Sequence, residues 1–315
     1  MVLLEIKERL KIIYAKYAVI VTGVIKFLLS LITLILLNQN LGYMARLKSP
    51  LIVFFMAVAC AFLPYGAISL LMAAVLLAHI YTLSFEIALL TAVILIIVAL
   101  LYYGFHPRDS YWLVLTPVAF MLKVPYVIPL LAGLAGSMLS MIPVSCGVIV
   151  YFVLLYVKQN AGVLANEAAS IDIAQKYVQL IKALLANQTM MVMIAACAAG
   201  ILVVFLVHNL SLDYSWIIAI VLGAIIQLAV IFIGDFMFDV TVPVAELIVG
   251  ILVALMIAAV YHFFVFAVDY SRTEYTQFED DDYVYYVKAV PKIVVTRSDV
   301  RVQRYNNPNK ARKTN

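Results

Sequence analysis

Charge is scarce in this chain: Asp, Glu, Lys and Arg together make up 12% of 315 residues, about half the share of an ordinary soluble domain. Cysteine is scarce too. Cys60, Cys146 and Cys197 are far apart, odd in number and set in apolar runs, which excludes a disulfide framework and metal-ligand spacing. The four histidines, His79, His106, His208 and His262, lack the paired spacing on one helical face that a metal site needs. There is no GxxxxGK[ST] phosphate loop, no nucleophile set beside a base and no paired-carboxylate arrangement. No catalytic residue, metal or cofactor is therefore expected, and no reaction is assigned. Nucleic acid is not an expected partner, because the basic stretches are better explained by anionic lipid.

What the chain has in quantity is long apolar sequence. Hydrophobic residues are 66% of the total and mean hydropathy is +1.09. Runs such as 86–103, 190–207, 215–233 and 242–266 approach or exceed the length that crosses a hydrocarbon core as helix. The expected fold is an all-α membrane protein, a polytopic helical bundle in the cell membrane, with membrane lipids as its immediate partners. Lys7, Arg9, Lys11 and Lys16 precede the first apolar run, and nine Lys and Arg follow Phe266, so both termini are expected to be cytoplasmic. Residues 17–37 are too long for a signal-peptide core and no small-residue cleavage site follows, so they read as an uncleaved first helix. Leu3, Ile6, Leu10, Ile13 and Tyr17 give residues 1–16 the pattern of a basic amphipathic helix at the inner leaflet.

Two long apolar stretches are interrupted. Pro64-Tyr65 breaks residues 51–82, and Pro125-Tyr126 breaks 111–141. A shift of 61 residues aligns the breaks and also Leu70 with Leu131 and Ala74 with Ala135, which suggests two related units. Halves of about 12 to 16 residues would give only about 18 to 24 Å of helix. Two arrangements follow: about six full spans plus two re-entrant hairpins, or ten shorter passes. Both put Arg108 inside and 158–188 outside; Arg46 and Lys48 on the outer side run against the charge rule. The expected sections are 1–16, a first membrane section at 17–157, an extracytoplasmic amphipathic helix at 158–188, a three-helix membrane section at 189–267 and a cytoplasmic tail at 268–315.

Ionisable groups inside apolar sequence are costly and mark candidate sites. Lys26 lies mid-run, Lys123 stands beside the second break, and Asp235, Asp239 and Glu246 flank the connection 234–243. These five form the candidate polar site, with Lys26 expected near one of the carboxylates; solvated loop carboxylates are the plainer reading. Asp109 suits the N-cap of a helix starting near Tyr111, and Asn187 suits the junction before the run 190–207. Small residues at Ala132, Gly136 and Ser140 and at Ala196 and Gly200 allow close helix approach. In the tail, 283–287 and 292–296 have strand propensity, and such a hairpin would need a partner.

The Pro-Tyr segments, the Arg108-Asp109 turn and the tail from Tyr275 through Asp280, Asp281, Asp282 and Tyr283 to Lys288-Ala-Val-Pro-Lys292 together resemble a group of uncharacterised polytopic membrane proteins from low-GC Gram-positive anaerobes. The resemblance transfers no functional residue. The broken helices and intramembrane charges are expected to serve a permease or permease-like subunit for a small solute. The alternative is a non-transporting scaffold whose tail recruits a cytoplasmic envelope-assembly or signalling partner. Both homo- and hetero-oligomers stay open.

Overall fold

The computed structural model describes residues 2–105, 109–165, 173–211, 213–238, 243–266, 274–279 and 282–290. The chain divides into two units, 19–265 and a second formed by 1–18 with 266–315.

Among the described residues, seven helices are long and apolar enough to cross a membrane. They are α1 (Val2–Asn40), α3 (Tyr65–Leu83), α4 (Phe85–Phe105), α7 (Met141–Gln159), α10 (Gln188–His208), α11 (Ser215–Phe238) and α12 (Val244–Tyr261). Shorter helices complete the set: α2 (Pro50–Phe62), α5 (Ser110–Met121), α6 (Val127–Ala135), α8 (Ala161–Ala165) and α9 (Ile173–Leu185). Their outer faces carry Val19, Phe55, Phe62, Leu100 and Phe236 at 66–91% exposure. Water would not tolerate so much contiguous apolar surface. The protein is a multi-pass helical membrane protein.

These seven candidates compare with about six full spans plus two re-entrant hairpins, or ten shorter passes, expected from the sequence. Pro64 cannot donate to a helix interior and holds Leu63 extended, so the chain breaks there. The two halves are unequal, 13 residues in α2 and 19 in α3, and α3 is by itself long and apolar enough to cross a membrane. At the second break α5 has 12 residues and α6 only 9.

Side-chain pairings set the helix directions within the larger unit. Asp109 meets Ser140, Thr116 abuts Gly147 and Phe120 stacks on Tyr151, a constant offset that makes α5 and α7 parallel. Gly133 abuts Val204 and Pro129 abuts Gly200, so α6 runs parallel to α10. Gly223 against Val204 and Gly234 against Val192 make α11 antiparallel to α10. Trp216 beside His262 makes α12 antiparallel to α11. Lys26 beside Tyr65, and Met44 bonded to His79, make α1 parallel to α3. By these directions, residue 19 and residue 265 lie at the same end of the larger unit, with the end of α4, the start of α5 and the 136–140 turn. The connection 41–49, the end of α7 and the start of α10 lie at the other end.

The two breaks consequently point in opposite directions. α2 and α3 meet at Pro64, level with the start of α5. α5 and α6 meet at 122–126, where Tyr126 abuts Gly250, six residues into α12 and so about 9 Å from its start. The packing after the breaks differs as well: α4 lies mainly on α3, whereas α7 lies mainly on α5. The proposed repeat thus shares its breaks and not its neighbours.

Three interior hydroxyls bond to carbonyls of their own helices, a way of satisfying them in apolar surroundings. Thr33 donates to Leu29 O at 2.7 Å, Ser69 to Gly66 O at 2.7 Å and Thr116 to Trp112 O at 2.7 Å. All three cysteines are buried and free. Asn187 caps α10, accepting from the Met190 amide at 2.9 Å. The 158–188 region gives α8 and the amphipathic α9, with 166–172 outside the described residues.

In the smaller unit α1 bends at Tyr17 (φ −124°, ψ 33°), the boundary expected between the amphipathic leader and the first span. β1 (Glu274–Glu279) pairs antiparallel with β2 (Val284–Ala289). The strand at 283–287 therefore pairs with sequence upstream of the acidic turn. Its expected partner at 292–296 lies outside the described residues. Tyr275 opposite Lys288 and Phe278 stacked on Tyr285 at 4.8 Å supply the cross-strand contacts that select this register.

Candidate functional site

Two polar loci form, one at each break; the first holds Lys26 and the second holds Lys123 and Glu246. At the first, the ending of α2 leaves the Leu63 carbonyl without a helical donor. Lys26 Nζ donates to that carbonyl at 2.9 Å and lies 5.0 Å from the Tyr65 ring centroid. An ammonium half-buried in an apolar run is thus met by a backbone dipole and an aromatic face. Of the carboxylates expected near Lys26, Glu246 pairs with Lys123. Asp235 lies in the last turn of α11 and Asp239 lies outside the described residues.

Around Lys26 and Tyr65 the start of α5 adds further polar groups. Tyr111 packs on Tyr65 at 5.8 Å, and Tyr102 shares a hydrogen bond with Ser110. Asp109 occupies the N-cap position of α5 without bonding the helix amides. Its carboxylate instead accepts from the Ser140 hydroxyl, which also accepts the Ser137 amide at 3.0 Å. The bond ties the starts of α5 and α7 together. A cap was expected from local sequence, which could not show that α7 brings a hydroxyl from 31 residues away. The neighbouring residues His106, Pro107 and Arg108 lie outside the described residues.

At the second break the chain turns through Lys123 at φ +61°, a left-handed conformation uncommon for a side chain with a Cβ. The Lys123 amide donates to Phe120 O at 3.1 Å and the Val124 amide to Ala119 O at 2.9 Å, so the turn satisfies its own backbone. Lys123 Nζ then pairs with Glu246 Oε1 at 3.3 Å. Glu246 sits in the first turn of α12 after Pro243, where the helix dipole favours a carboxylate. Both side chains are well exposed, 77% and 59%, so in water the pair would add at most about 1 kcal/mol. Its interest is location: the strained residue and the ion pair coincide. Tyr126, buried at 7%, packs the turn onto α12, and the buried Gln227 donates to Gly223 O at 3.3 Å.

Sequence reasoning missed Ser140, Tyr102 and Tyr111 as polar partners. The signal available was the density of tyrosines on both sides of residues 106–109. The breaks do not meet: α5 carries Tyr111 at the first and leads to Lys123 at the second, about 18 Å of helix apart. Between them lies a cavity of about 80 Å³ walled by α1, α3, α4, α5 and α7. No family model, curated protein or solved structure matches this chain.

Proposed function

We propose that this chain is a permease-like subunit of the cell membrane, with both termini cytoplasmic and 158–188 outside. In this reading α5 and α6, about 18 and 14 Å long, form a re-entrant hairpin that enters from the cytoplasmic end and turns at Lys123. α2 and α3 enter from the opposite end and turn at Pro64. Support comes chiefly from one observation, two Pro-Tyr breaks directed oppositely with a lysine at each. Broken helices entering from opposite sides are a recurrent way to place backbone polar groups and charges inside a bilayer for a passing solute.

Orientation is testable by thiol labelling of variants lacking Cys60, Cys146 and Cys197. Ser170→Cys should react with an impermeant maleimide in intact cells, and Glu5→Cys and Val300→Cys only after permeabilisation. Labelling of position 300 in intact cells would sink the orientation.

Transport is testable without knowing the solute. Proteoliposomes loaded with a whole-cell metabolite extract should lose at least one species about tenfold faster with the wild-type protein than without it. Lys123→Glu should slow that loss, and the swapped pair Lys123→Glu/Glu246→Lys should restore much of it. A metabolite profile identical to that of protein-free vesicles removes the permease reading.

A second reading is favoured by the tail. The β1–β2 hairpin has exposed residues along its length, and an isolated two-stranded hairpin is marginal alone. Addition to the edge of a cytoplasmic partner's sheet would stabilise it, and the chain would then act as a scaffold.

A further inference from the structure

The cavity between the two breaks is chemically one-sided. Its wall is built from aliphatic and aromatic side chains, with Thr33, Ser69, Tyr102 and Tyr103 as its polar members. Three of these four already have partners: Thr33 bonds Leu29 O, Ser69 bonds Gly66 O, and Tyr102 shares a bond with Ser110. A polar solute placed there would lose its hydration and regain few hydrogen bonds, at a cost of several kcal/mol. A hydrocarbon chain would lose nothing of that kind.

Shape and access agree with the lining. Along α5 the wall runs from Leu113 to Met121, about 12 Å of helix, so the space is elongated along the bundle. Leu70 and Tyr103, which line it, are 50% and 47% exposed and belong to helices long and apolar enough to cross a membrane. The mouth therefore opens toward lipid. At one end stands a cation: Lys26 lies two helical turns from Thr33 on the same face of α1, and Tyr65 one turn from Ser69 on the same face of α3.

We propose that this cavity binds the hydrocarbon chain of an anionic amphiphile, with the chain between α3, α4 and α5 and the acidic headgroup toward Lys26 and Tyr65. The assignment rests on the permease reading for the fate of the ligand, and on the cavity alone for its binding. It replaces a small polar solute with a lipid-like one as the expected cargo. The headgroup chemistry is that of a phosphate or carboxylate monoanion, for which an ammonium is the simplest complement.

The probe is a single-chain alkyl phosphate carrying a diazirine in the chain, irradiated with the purified full-length protein and mapped by peptide mass spectrometry. Adducts are expected on 69–76 and 113–121, with saturable dependence on probe and competition by unlabelled alkyl phosphate. Ala73→Phe and Ala99→Phe, which fill the cavity from two different walls, should each lower those adducts about tenfold while leaving the elution profile of the protein unchanged. Lys26→Met should keep the chain adducts but remove the preference for the phosphate over a matched alkyl trimethylammonium probe. Adducts confined to outward-facing residues such as Ile96 and Leu100, or non-saturable labelling of the wild type, would overturn the assignment; the wild-type measurements decide even if both filled variants misfold. An unchanged headgroup preference in Lys26→Met would overturn the role of the lysine. A leaflet-redistribution assay with the same probe in proteoliposomes separates the two proposals: saturable binding without redistribution leaves the cavity assignment standing and removes transport of this ligand.

Discussion

Gly223→Val is expected to lower the stability of the bundle by about 1 to 3 kcal/mol, and Val204→Ala introduced with it should recover most of the loss. Val204 on α10 is clasped from two sides. A methyl group at Gly223 on α11 would collide with Val204 Cγ2, and one at Gly133 on α6 would lie 2.6 Å from Val204 Cβ. Lipid tails are as apolar as leucine, so helices in a bilayer associate through close packing and not through escape from water. A branched side chain at the narrowest crossing therefore costs directly. The alanine partner alone removes two methyl groups and is itself destabilising, which makes the recovery in the double variant diagnostic of contact. Thermal midpoints of the four proteins in one detergent give the comparison. Additive losses would mean that α10 and α11 do not meet at this notch.

The second large effect should distinguish the two breaks. Tyr126→Ala is expected to cost about 2 kcal/mol, below the 3 to 5 kcal/mol typical of aromatic truncation in a soluble core, because the transfer of apolar surface out of water contributes little here. What remains is the hole left against α12, where the ring lies 2.7 Å from the position a Gly250 Cβ would take. Tyr65→Ala should cost less stability, since that ring is only partly buried. It instead removes the aromatic face beside Lys26. Equal shifts in thermal midpoint for the two variants would contradict the asymmetry and revive an equivalent pair of units.

That asymmetry marks where local sequence stops being informative. The membrane class follows from composition, because no arrangement of this many apolar residues could be hidden by a 315-residue soluble core. Both helix breaks, the bend at Tyr17, the cap at Asn187 and the strand character of 284–287 follow from residues adjacent in the chain, since proline geometry, capping and strand propensity act over a few positions. The close-packing glycines were harder to read. Gly200 belonged to a recognisable small-residue spacing, whereas Gly133 and Gly223 declared themselves only through Val204, which belongs to a different helix from either.

Sequence by itself determined that the chain would be helical, apolar and broken at Pro64 and Pro125, and it singled out Lys26, Lys123 and Glu246 as ionisable groups in or beside apolar runs. Tertiary structure alone decided how those charges are met. Lys26 turned to a backbone carbonyl and a tyrosine ring beside its own helix, and Lys123 found Glu246, 123 residues away. An ion can be stabilised by any dipole, ring or opposite charge within a few ångströms, so its chemistry announces a need without naming a partner. Which partner answers depends on helix direction and register, and these are set by how small residues let the helices approach.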